Sequence, residues 1–144
     1  MNNMTDKFTI NFYPIKEKKN DKMEPIDEGL NLSPYARFFD ETCPDWSKDS
    51  EYNMFFLIQR RAYANSLLKS RGYLFLNEVY DMLGIPRSKS GQVVGWIYDK
   101  ENSIGDNYVD FGLFEEHNKD FINGYKRYAL LDFNVDGNIF EDIL

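Results

Sequence analysis

GYLFLNEVYDMLGIPRSKSGQVVGWIY, residues 72 to 98, decides the fold class. Tyr73 to Leu76 reads as a short extended apolar run. Asn77 is a good helix N-cap, and Glu78 in the first turn favours the helix dipole. Val79, Met82 and Leu83 share one face. Gly84 stands where a left-handed cap belongs, Ile85 can fold back on the helix, and Pro86 forbids continuation. A basic turn follows, and then an aromatic strand over Gln92 to Tyr98. Helix and strand therefore alternate within one short stretch, and each local signal agrees with the next.

Outward from this stretch, residues 51 to 70, EYNMFFLIQRRAYANSLLKS, predict the longest helix, stopped by Gly72. Met54, Phe55, Phe56, Leu57 and Ile58 cover most of its circumference, which predicts that its first half is buried on several sides. Ser33-Pro34 is a helix-start signal, so Tyr35 to Asp40 is expected as a short helix. Towards the C-terminus, Gln92 to Tyr98 and Asn107 to Phe114 flank the turn-rich DKENSIGD and predict a long hairpin. Val109, Phe111 and Leu113 alternate cleanly. Tyr128 to Val135 reads as a third strand, Asp136-Gly137 as a hairpin turn, and Ile139 to Leu144 as a short returning strand. The expected class is α+β: an extended N-terminal arm, two to three helices, then a small antiparallel sheet of three to four strands. Residues 1–32 form arm and linker, and 33–144 a single domain.

In the arm, KFTINFY (7 to 13) places Phe8, Ile10 and Phe12 on one side, a strand pattern ended by Pro14. The charged KEKKNDKMEPIDEG that follows reads as a linker. A tether of about 15 residues spans tens of ångströms at about 3.3 Å per extended residue. The strand can thus pair with its own sheet or with a neighbour's, which makes Phe8, Ile10 and Phe12 candidate interaction residues.

The 144 residues suit one domain, and 17% aromatics supply ample core. One cysteine, Cys43, excludes an internal disulfide and any multi-cysteine zinc site. No apolar run is long enough to span a bilayer, and MNNMTDKF lacks a signal-peptide core, so no membrane role is expected and the chain is expected in the cytoplasm where it is made. The net charge of -7 is uneven: residues 51 to 91 hold six basic against three acidic groups, and 92 to 144 hold four against eleven. This balance argues against binding to a nucleic-acid backbone. Opposite signs on two parts also suit head-to-tail packing, within one molecule or between copies in a homo-oligomer.

Three constellations invite a chemical reading. Asp132, Asn134 and Asp136, with Gly137, reproduce the first half of an EF-hand calcium loop, where alternate oxygens converge as the chain curls. Position 12, which should supply a bidentate Glu, is Ile143, so an Asp-Gly turn between strands is the competing reading. Arg87 and Lys89, with Ser88, Ser90 and Gly91, form a basic turn that is a candidate contact for a partner, although it is not a P-loop. His117 lies among acids, and no serine or cysteine carries a nucleophile signature, so no catalytic residue is nominated and an enzyme is not expected. No cofactor is expected beyond calcium at the Asp132 loop.

RGYLFLNEVYDMLGIPRSKSGQVVGWIYD, then GDNYVDFG, INGY and LLDFNVDG, resembles an uncharacterised domain family of phages and prophages of low-GC Gram-positive and gut bacteria. The likeness covers about residues 51 to 142 and leaves the first 50 aside. It implies a mobile-element origin and supplies no activity or functional residues. The resulting expectation is a non-enzymatic phage-encoded protein that works through contacts with phage or host proteins, foremost in virion structure or assembly. It would reside in the host cytoplasm or in the particle. Alternatives are a small acidic inhibitor of a host defence protein and a calcium-stabilised binding module.

Overall fold

The structure is a computed structural model that describes residues 30–143. The chain divides into two units, Met1–Leu32 and Ser33–Leu144, and the second holds every element named below. Its elements run β1 (Arg37–Phe39), α1 (Ser50–Arg71), β2 (Tyr73–Phe75), α2 (Leu76–Leu83), β3 (Val94–Ile97), α3 (Lys119–Ile122), β4 (Ala129–Leu131) and β5 (Gly137–Asn138). Short 3-10 turns occupy Ser90–Gln92, Glu116–Asn118 and Glu141–Ile143. The class is α+β, with two small antiparallel sheets. One pairs β1 with β4, Phe38 opposite Leu130. The other orders β2-β3-β5, Leu74 opposite Trp96 and Gly95 opposite Gly137.

The 72 to 98 stretch folds largely as its residues dictate. Asp49 caps α1 by accepting from the N–H of Glu51 and Tyr52, and Gly72 ends it in the left-handed region with its N–H on the Leu68 carbonyl. One Glu78 oxygen, Oε2, then accepts from the Phe75 N–H at 3.0 Å and from Arg71 Nη2 at 2.7 Å. A single carboxylate thus caps α2 and ties it to the end of α1. Gly84 adopts φ 72°, and the Ile85 N–H closes on the Tyr80 carbonyl. Gly95 serves a different purpose: a Cβ there would lie 2.0 Å from the Leu74 carbonyl oxygen, so only glycine lets β2 approach so closely.

Asn77 is not the cap. Phe75 occupies that position, and Asn77 lies buried inside the first turn, where its amide accepts from the Ser88 N–H and donates to the Ser88 carbonyl, both at 2.9 Å. The same two-point clasp recurs. Asn53 holds Ser47, Asn65 holds Val109, Asn107 holds Asp99 and Asn118 holds Leu130, each by the N–H and the carbonyl of one residue. An asparagine amide presents a donor and an acceptor side by side, as a strand backbone does, so it can stand in for a missing ladder partner. Asn53, Asn77 and Asn118 are also the buried polar residues of the described chain.

Those clasps explain where pattern reading departs from the structure. Tyr35 to Asp40 is not a helix. Ser33 does accept from the Tyr35 N–H, but the backbone beyond it pairs with β4 as β1, because tertiary pairing outweighs a local start signal. Residues 107 to 114 bury Val109, Phe111 and Leu113 as the alternation predicts, yet they are not the hairpin partner of β3. That role is divided between β2 and β5, while Asn65 and Asn118 hold the 107 to 114 segment. Asp136-Gly137 makes no hairpin turn: the Asp136 N–H donates to Gly95 and the Ile139 N–H to Val93, so the chain runs on along β3. The expected return strand over Ile139 to Leu144 is the short turn Glu141–Ile143.

The core gathers Trp96, Tyr80, Phe39, Phe111, Phe121, Leu57, Leu68 and Leu74, all essentially without solvent exposure. Each such side chain contributes about 1.5–3 kcal/mol on burial. Their polar tips find partners: Tyr80 Oη donates to the Tyr35 carbonyl at 2.7 Å, and Trp96 Nε1 to Asn134 Oδ1 at 2.9 Å. No helix among the described residues is long and apolar enough to cross a membrane.

Candidate interaction surface

The calcium-loop residues each have an occupation inside the fold. Asp132 accepts from the backbone N–H and the hydroxyl of Ser33. Asn134 Oδ1 accepts from Trp96 Nε1 and from the Asp110 N–H, and its Nδ2 donates to Asp106 Oδ2 and the Tyr108 carbonyl. Asp136 Oδ2 accepts from the Ile97 N–H at 2.8 Å. The three side chains thus face three separate partners, and the chain there is extended where an EF-hand loop would curl. Burial, with Asp106 nearby adding to it, pushes the Asp136 carboxyl up despite the Ile97 N–H. A cation at this loop would have to displace the two N–H donors already on Asn134. Among the described residues, no group of three or more His, Cys, Asp or Glu side chains is placed to hold a metal ion.

The basic turn is also engaged. Arg87 makes a two-pronged pair with Asp81, Nε to Oδ1 at 3.0 Å and Nη2 to Oδ2 at 2.7 Å, which holds the Asp81 carboxyl below its ordinary range. Lys89 is exposed beyond it. Arg71 is paired with Glu78, Arg60 lies over the Phe56 ring and Arg61 over the Phe114 ring. The four arginines of the middle segment are therefore each engaged with an acid or an aromatic face. Phe8, Ile10 and Phe12 lie outside the described residues.

Cys43 is not set up as a nucleophile, and His117 is bonded to the backbone. Cys43 is buried, and desolvation pushes its thiol up to about 11, far from the thiolate that nucleophilic chemistry uses. His117 Nε2 lies 2.9 Å from the Leu130 carbonyl, which only accepts, so that nitrogen carries a proton.

What pattern reading missed is the outer face of α1. Its inward face buries Asn53, Phe56, Leu57, Ala64 and Leu68. Opposite them Tyr52, Phe55, Ile58 and Tyr63 are exposed, Phe55 by 62%. The expectation that the first half of α1 is enclosed on several sides is thus corrected: one side is core and the other is open. Gln59, Ala62 and Ser66 complete the open face, and no charged residue lies on it between Glu51 and Lys69. A solvated helix face ordinarily carries its charges there, and a contiguous apolar stripe marks an interaction site. The signal was present in the sequence as apolar residues all round the helix; only the position of the core shows which of them are left over.

A family model described as a family of unknown function, DUF6353, matches residues 7–143. The chain belongs to that family. The match reaches well N-terminal of the 51 to 142 region quoted above and takes in α1 with its outer face. Comparison with curated proteins and with solved structures gave no match.

Proposed function

We propose that this is a non-enzymatic, phage-encoded protein that works through protein–protein contacts in virion structure or assembly. The observation that carries the reading is the outer face of α1, where Tyr52, Phe55, Ile58 and Tyr63 stand exposed on a rigid helix anchored by a buried opposite side. Aromatic side chains on a rigid element give large contact area at low entropic cost. The phage assignment rests on the sequence blocks from Arg71 to Gly137, and the host cytoplasm or the particle is where such a protein would act. Phe55→Glu in the encoding phage provides the test. Purified particles should contain the native chain and lose the variant, while the isolated variant melts as the native protein does. Particles devoid of the native chain would refute an assembly role.

A second reading has its own support. Glu101, Asp106, Glu115, Glu116, Asp120, Glu141 and Asp142 are all exposed, giving the C-terminal third an acidic surface suited to a basic groove on a host defence protein. Affinity capture from host lysate separates the two: a host nuclease or sensor retained in a salt-dependent way favours inhibition, and phage structural proteins favour assembly.

A further inference from the structure

The open face of α1 changes along its length. Its first turns carry Tyr52, Phe55 and Ile58, all large and exposed. Later turns carry Ala62 and Ser66 on the same stripe, both small, with Lys69 beyond them. Positions 52, 55, 59, 62, 66 and 69 recur at alternating steps of three and four, the spacing of a seam between two helices. At one end stands an acid, Glu51, and at the other a base, Lys69. The flanking Ile58 and Tyr63 bear no charge that would hold a neighbour off.

We propose that this face pairs with the same face of a second copy, the two α1 helices lying antiparallel about a two-fold axis between Gln59 and Ala62. In that arrangement Phe55 of each copy lies over Ala62 and Ser66 of the other, where small side chains leave room. Glu51 of each copy meets Lys69 of the other, so the charge match occurs at both ends. A parallel arrangement would set Phe55 on Phe55, Glu51 on Glu51 and Lys69 on Lys69, with like charges facing and space left unfilled. Two-fold symmetry makes the interface isologous, so every complementary pair occurs twice. The assignment rests on the reading of this face as a docking surface and names its occupant.

The test is sedimentation of the full-length chain over a concentration series. The native protein should dimerise, and Phe55→Glu should weaken association roughly 30-fold or more, the scale of losing a central aromatic anchor. Glu51→Lys or Lys69→Glu alone should weaken it about threefold to tenfold, because each places like charges together at both ends. Combining Glu51→Lys with Lys69→Glu should restore it, and melting curves of all variants should stay native-like at concentrations where the native chain is monomeric. A monomer at every concentration, a dimer indifferent to Phe55→Glu, or a double variant no better than the singles would overturn the proposal. Particle incorporation separates this from the broader reading. A monomer that still loses particle association through Phe55→Glu would remove self-pairing and give the face to a different protein. A dimer absent from particles would keep self-pairing and remove assembly.

Discussion

Residues 72 to 98 and residues 107 to 138 carry comparable shares of the core but are held by different means. The first stretch is fixed by its own backbone: a left-handed cap at Gly84, a carboxylate cap from Glu78, and ladder pairing of β2 with β3. The second has little ladder of its own, β4 and β5 being three and two residues long, and is held by asparagine amides, Asn65 reaching from α1 to Val109 and its own Asn118 holding Leu130 and Gly112. Backbone-held structure announces itself locally. Structure held by side-chain clasps depends on a partner 12 positions away for Leu130 and 44 for Val109, and no period records it.

The sharpest way to break the second region is Asn118→Ala. Asn118 is 1% exposed, accepts from the Leu130 N–H and donates to the carbonyls of Leu130 and Gly112. Its truncation leaves the buried Leu130 N–H unpaired and removes one of two donors from each of the Leu130 and Gly112 carbonyls, which keep His117 and the Glu115 N–H. The change should cost about 3 kcal/mol, read from urea unfolding. A loss below about 1 kcal/mol would mean that the clasp is incidental. In the first region, Gly84→Ala should cost about 2 kcal/mol. It forces a side chain into φ 72°, with its Cβ 2.4 Å from Pro44 Cδ. If Asn118→Ala proves the milder of the two, the contrast between the regions inverts.

Asp132→Ala should be milder still, about 1–2 kcal/mol, because it orphans only the partly buried N–H and hydroxyl of Ser33. The same measurement with and without calcium addresses the EF-hand reading: a native protein whose midpoint rises with calcium, and a variant whose midpoint does not, would place a cation at this loop.

Asp136 sharpens the comparison through pH. Burial raises its carboxyl, so the folded chain binds more protons than the unfolded one just above the ordinary carboxylate range. Stability from this group therefore falls as pH rises through that window. Asp136→Asn keeps an oxygen for the Ile97 N–H and should remove that slope, leaving the variant equal to or slightly more stable than native at neutral pH. A variant clearly weaker at neutral pH would contradict that sign. The smallest effect belongs to Phe55→Glu, whose exposed site should leave monomer stability within about 0.5 kcal/mol.

These contrasts also account for what was legible in the sequence. The class, the long helix, its glycine stop and the Gly84 cap were readable because each depends on neighbours within a few residues. The alternation of Val109, Phe111 and Leu113 gave the buried face of that segment but not its partners, which are the N–H groups of Asp132 and Asn134 together with the amides of Asn65, Asn118 and Asn134. Asp132, Asn134 and Asp136 matched a metal loop in spacing alone; their side chains belong to Ser33, Trp96 and Ile97. The α1 surface was not legible because the helix is apolar on both sides, and periodicity identifies a face only where the other face is polar.

Cys43 turns the fold into its own clock. A single thiol, buried and held far from ionisation, reacts with an alkylating reagent only in molecules that have opened around it. The labelling rate at that one sulfur thus counts openings of the native state. It does so without competition from any second cysteine.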